Sequence, residues 1–93
     1  MVASPLIPST PLADLHARFA GILPTVQSES RSAFAGLRTA EDREDAEADA
    51  ALATWMRFLR AAAASTIVDP VELARRAVAS VVRRLRMRAM LAA

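Results

Sequence analysis

The chain of 93 residues contains no cysteine, no lysine and a single histidine, His16. Without cysteine it can form neither a disulfide framework nor a thiolate metal site. One histidine is too few for a histidine metal centre or a catalytic triad, so His16 is expected at the surface or at the edge of the core. All twelve basic residues are arginine, a bias that we do not interpret as functional.

Glycine is also scarce, since the chain contains only Gly21 and Gly36. Two isolated glycines exclude a Gly-rich phosphate-binding loop. The acidic residues between positions 41 and 49 do not match an EF-hand, because that calcium-binding loop requires a glycine at its sixth position and this stretch reads as continuous helix. The sequence therefore predicts a protein that is not an enzyme, with no catalytic residue, no metal ligand and no cofactor.

Long apolar runs are absent as well. No run approaches the roughly 18–20 residues that span a membrane, and the amino terminus lacks the basic segment and apolar stretch of a secretory signal. We therefore expect a soluble cytoplasmic protein with no membrane partner.

Apolar residues recur at steps of three and four along most of the chain, and no strand-like alternation is visible. Residues 1–10 are rich in proline and serine and are expected to be a disordered lead-in. Residues 11–90 are expected to form one all-α domain, a small bundle of three to four helices. In its first segment, Pro24 either kinks a helix or begins a second one.

The segment from Glu41 to Arg60 organises the rest of the chain. Thr39 followed by Asp42 is close to a helix start signal, and six carboxylates occupy the first turns, where the helix dipole favours negative charge. An apolar stripe follows at helical spacing. We expect this stripe, with the single tryptophan at its centre, to be the buried face: Ala48, Ala51, Leu52, Trp55, Leu59 and Ala62.

A second start signal, formed by Asp69, Pro70 and Glu72, begins the last predicted helix, which runs to about Met90. Its predicted apolar face consists of Val71, Ala74, Ala77, Val78, Val81 and Leu85. At about 100° per residue, an arc of about 100° on this helix holds four arginines, with two more further round. The four are Arg75, Arg76, Arg83 and Arg86, and the two are Arg84 and Arg88.

Charge is divided unequally between these two segments. Residues 39–56 carry six acids against one arginine, whereas residues 57–93 carry eight arginines against two acids. The arginine face has three interpretations: a solvated face, a surface that lies along nucleic-acid phosphates, or one that lies on an anionic membrane. The membrane interpretation is disfavoured because the apolar side of this helix offers valine and alanine, with Leu85 as its one bulky member and no aromatic residue.

The order of these parts resembles region 2, the core domain, of bacterial sigma factors of the extracytoplasmic-function type. The family pattern E-D-x-x-Q-E-x-F-L-x-x-W is matched without a gap at Glu44, Asp45, Asp49, Leu52 and Trp55. The final-helix pattern I-A-R-N-x-x-x-D-x-x-R-R is matched at Leu73, Ala74, Arg75, Arg83 and Arg84. The first-helix segment is matched at Phe19, Ile22, Leu23 and Pro24, so the resemblance extends from Asp14 to Arg88.

In that family the central helix binds the clamp of RNA polymerase, and the last helix melts and holds promoter DNA. The resemblance thus implies core RNA polymerase, or another protein, as a partner and promoter DNA as a further one. By position, polymerase would contact Glu44, Asp45 and Asp49, while Leu52 and Trp55 would be core. DNA would contact Arg75, Arg76, Arg83 and Arg84, to which the helical arc adds Arg86.

The sequence also departs from the family pattern, and we expect no second, helix-turn-helix domain of the kind that these sigma factors have. The departures are Ala48 for a glutamine, Asp69 for an aromatic residue, Pro70 for an apolar one, Arg76 for an asparagine and Ser80 for an aspartate. We therefore expect a degenerate sigma-like transcription protein. The alternative is a non-catalytic helical interaction module, such as a self-associating one whose acidic and basic faces pair with each other.

Overall fold

The computed structural model describes residues 11–92, which form three α-helices and no strand. Helix α1 is Leu12–Phe34, α2 is Ala40–Ala63 and α3 is Pro70–Ala92. Each helix packs against both of the others, so the prediction of a small all-α bundle is confirmed. The expected lead-in, residues 1–10, lies outside the described residues.

Side-chain caps explain where α2 and α3 begin. The Thr39 hydroxyl accepts a hydrogen bond from the Asp42 backbone N–H at 3.0 Å, and the backbone of Thr39 is extended, as expected for a capping residue. At the start of α3, a carboxylate oxygen of Asp69 accepts from the Val71 N–H at 3.0 Å. Both predicted helix starts are confirmed, and α3 ends two residues beyond the predicted Met90.

Helix α1 continues through Pro24 without interruption. Proline has no N–H, so the carbonyl of Ala20, four residues earlier, loses its helical partner. Pro24 and Ala20 are both exposed, which leaves that carbonyl open to water. The alternative that a second helix begins at Pro24 is therefore wrong.

The turn between α2 and α3 is a Schellman motif. The Thr66 N–H donates to the Ala61 carbonyl at 2.8 Å, and the Ser65 N–H donates to the Ala62 carbonyl at 3.1 Å. To close this turn, Ser65 adopts a left-handed backbone conformation, with φ of 54°. These two bonds satisfy carbonyls that the end of α2 would otherwise leave without a donor.

The core has two apolar clusters. One surrounds Phe58 and holds Phe19, Ile22, Val26 and Ala74, with Trp55 packed at its edge. The other surrounds Phe34 and holds Ala46, Ala50, Val78 and Val81, with Leu37, Val82 and Leu85 at its margin. As predicted, α3 buries Ala74, Ala77, Val78 and Val81, whereas Val71 is exposed.

The buried face of α2 differs from the predicted one. It consists of Ala46, Ala50, Thr54 and Phe58, at steps of four. Ala48 is exposed and Leu52 is 60% exposed, so the expectation that Leu52 is core is wrong. Trp55 is only half-buried. The reason lies in packing between helices: Ala46 and Ala50 pack in one cluster with Phe34, Val78 and Val81, and Phe58 packs in the other cluster with Phe19, Ile22 and Val26.

Candidate functional site

The arginines of α3 lie at the surface. All five that were predicted to contact DNA are exposed: Arg75, Arg76, Arg83, Arg84 and Arg86. Their position follows from the burial of the opposite side of the helix, where Ala74, Ala77, Val78 and Val81 face the core. The packing of α3 therefore places all five arginines at the surface.

Two of these five arginines form ion pairs with carboxylates, and three do not. Arg75 donates through Nε to Glu29 of α1 at 3.3 Å, and Arg76 donates through Nε to Glu72, one turn earlier, at 2.9 Å. Arg83, Arg84 and Arg86 form no ion pair within 4.0 Å with any carboxylate of residues 11–92. The basic face is thus partly neutralised near the start of α3, and its uncompensated charge lies toward the carboxyl end.

The acidic residues lie on the first half of α2. Glu44 and Asp45 are exposed, and Asp49 is half-buried. Ala48, which occupies the position of the family glutamine, is exposed between them. The three acidic residues predicted to contact polymerase therefore lie within two helical turns of one another on one element.

The acidic half of α2 and the last turns of α3 border the same cleft. Asp42, Asp45 and Asp49 line it from α2, while Leu85 and Arg88 line it from α3. Within residues 11–92, none of these carboxylates lies within 4.0 Å of an arginine nitrogen. These three carboxylates and Arg88 consequently line one cleft without forming direct ion pairs, and the predicted DNA-binding arginines do not border it.

An aromatic cluster near the amino end of α1 could not be assigned from sequence spacing. The Trp55 ring centroid is 5.1 Å from that of Phe19 and 5.1 Å from that of the exposed His16. The guanidinium of Arg18 lies over the Phe58 ring, 5.4 Å from its centroid. His16 is thus at the edge of the core, as predicted, and its contact is with an aromatic ring.

Sequence reasoning also missed two polar contacts that connect elements. The Arg75–Glu29 pair joins α3 to α1, and Arg43 donates through Nη1 to the Leu37 carbonyl at 2.8 Å, which ties α2 to the preceding loop. A sequence signal existed only for the second, since Arg43 is the one cation in an acidic stretch.

Within the described range, no group of three or more histidine or acidic side chains is arranged to hold a metal ion. None of the three helices in that range has an apolar stretch long enough to traverse a bilayer.

No similarity of this chain to a known protein was found. No family model matches the chain, no curated protein matches it, and no solved structure matches its fold. The resemblance to region 2 of sigma factors, with the contacts that it implies, stays a prediction.

Proposed function

We propose that this protein is a degenerate, sigma-like transcription protein that binds core RNA polymerase through α2 and DNA through α3, without catalysis. The observation that carries the proposal is the placement of exposed carboxylates on the first half of α2 and of exposed arginines on α3. Polymerase would contact Glu44, Asp45 and Asp49, and nucleic-acid phosphates would lie along the carboxyl half of α3.

The DNA part of the proposal is best supported at Arg83, Arg84 and Arg86. These side chains are exposed and have no carboxylate partner among residues 11–92, so phosphate binding would not first have to break an ion pair. Arg75 and Arg76 would exchange Glu29 and Glu72 for phosphate. They should therefore contribute less affinity per residue.

The first prediction concerns DNA binding. Changing Arg83, Arg84 and Arg86 together to alanine should weaken DNA retention and reduce the slope of log K against log salt by up to about 3, because each phosphate contact contributes about 0.9. Mobility-shift titrations at several salt concentrations measure both quantities.

The matched control removes three exposed arginines that lie elsewhere: Arg18, Arg31 and Arg38. It changes net charge by the same amount but should leave the salt slope closer to that of the unchanged protein. Equal losses in both variants would mean that net charge alone drives binding. An unchanged slope in the α3 variant would refute the DNA role.

The polymerase part is tested by retention on immobilised core RNA polymerase. Replacing Glu44 and Asp45 with lysine should abolish retention, because both side chains are exposed and would present the wrong charge. Glu72→Lys reverses one exposed charge on α3 and serves as the control. No retention of the unchanged protein would refute this part.

A further inference from the structure

We propose that two copies of this chain pair through the outer face of α2, with the two helices antiparallel and crossing at Leu52. This inference is independent of the transcription proposal. It starts from a feature that the fold leaves unexplained: α2 has two apolar faces, and the bundle buries only one of them.

The second face is a seam of residues that the core does not cover. Ala48 is exposed, Leu52 is 60% exposed, Met56 is 45% exposed and Leu59 is half-buried. At about 100° per residue, these four positions share an arc of about 80°, centred roughly opposite the buried face. Their steps of four, four and three add up to eleven residues, the period of the 11-residue repeat of helix-pairing sequences.

The charges beside this seam identify a second copy of the same helix as its partner. Asp42 precedes the apolar positions and Arg60 follows them on the same flank, both about 80° from Leu52 at about 100° per residue. Asp45 lies within the arc of the seam, about 20° from Leu52 toward that flank. When two such helices run antiparallel and cross at Leu52, residue 60 of one copy lies opposite residue 44 of the other. Arg60 is then within one turn of Asp42 and Asp45 of the other copy, and symmetry forms the contact twice.

The same register matches three of the four apolar positions of the seam, whereas Leu59 lies opposite Asp45 of the other copy. Leu52 meets its own counterpart on the two-fold axis, and Met56 lies opposite Ala48, whose small side chain allows close approach of the helices. A parallel arrangement would instead place the acidic half of one copy beside the acidic half of the other. The charge pattern therefore favours the antiparallel pair.

The charge contacts are tested by exchange. Asp45→Arg and Arg60→Asp should each raise the dimer Kd by about tenfold, about 1.4 kcal/mol, and the double variant should restore it. Sedimentation equilibrium gives these constants, and circular dichroism verifies that each variant remains helical. A monomeric unchanged protein, unaffected single variants or a double variant without recovery would each overturn the proposal.

The position of the two-fold axis is tested by cross-linking, which is simple because the chain has no cysteine. Leu52→Cys should be joined into a dimer by a short bis-maleimide. Met87→Cys is the matched control, since Met87 is 61% exposed but lies on α3. Equal cross-linking of the two variants, or none at Leu52→Cys, would exclude pairing through α2. Pairing through α3, or an unrelated protein bound to the seam, would give such a result.

Discussion

At the scale of single residues, the most informative position is Ser65. Within residues 11–92, Ser65 is the only non-glycine residue with a positive φ, 54°. A side chain in the left-handed region costs about 1–2 kcal/mol, which glycine avoids at a smaller cost in chain entropy. Ser65→Gly should therefore raise the free energy of unfolding by about 0.5–1 kcal/mol, measured by urea denaturation.

A serine in ordinary helical conformation provides the control. Ser28 is exposed on α1, and Ser28→Gly should lower the free energy of unfolding by about 0.5 kcal/mol, because glycine is a poor helix former. A loss of stability in both variants would show that the turn at Ser65 does not favour glycine.

At the scale of elements, α2 shows both what sequence predicts and where prediction fails. Thr39 and Asp69 begin helices by accepting hydrogen bonds from backbone N–H groups two or three residues later. Such capping residues can be recognised in the sequence. The buried face is different, because the predicted stripe and the buried face of α2 are centred about 130° apart at about 100° per residue. Hydrophobicity favours the stripe with Leu52 and Trp55, whereas packing against α1 and α3 buries the face with Ala46 and Ala50.

The candidate site also contains some features that the sequence predicts and others that it does not. The exposure of Arg83 and Arg86 follows from the apolar periodicity of α3, so helical spacing alone could predict it. The partners of Arg75 and Arg18, which are Glu29 and the Phe58 ring, depend on how α1 packs against the other helices. Spacing within one helix contains no information about such contacts.

The buried alanines of α2 lead to a testable prediction about packing. Ala50 is fully buried in the cluster around Phe34. Ala50→Leu should lower the free energy of unfolding by about 1–3 kcal/mol, because added methylenes in a filled core force side chains and backbone to shift.

Ala79→Leu places the same added volume on the exposed side of α3 and should change stability by less than about 0.5 kcal/mol. Thermal or urea unfolding of the two variants compares them directly. A core that accepts leucine at position 50 without loss would show that the cluster around Phe34 has room for a larger side chain there.

At the scale of the whole molecule, both proposals use the outer face of α2. Asp45 would contact polymerase in one and Arg60 of a second copy in the other, so the two associations should exclude each other. We expect the cross-linked Leu52→Cys dimer to lose retention on core RNA polymerase, whereas uncross-linked Leu52→Cys protein should retain it. Equal retention of the two forms would show that the surfaces are separate.

The two-cluster core affects how unfolding should be followed. Trp55 is the only tryptophan and packs beside the Phe58 cluster, so intrinsic fluorescence reports on that end of the bundle. Far-ultraviolet circular dichroism instead averages over all three helices. A single optical melt would therefore be an incomplete description, and agreement between the two signals becomes the criterion for treating the bundle as one cooperative unit.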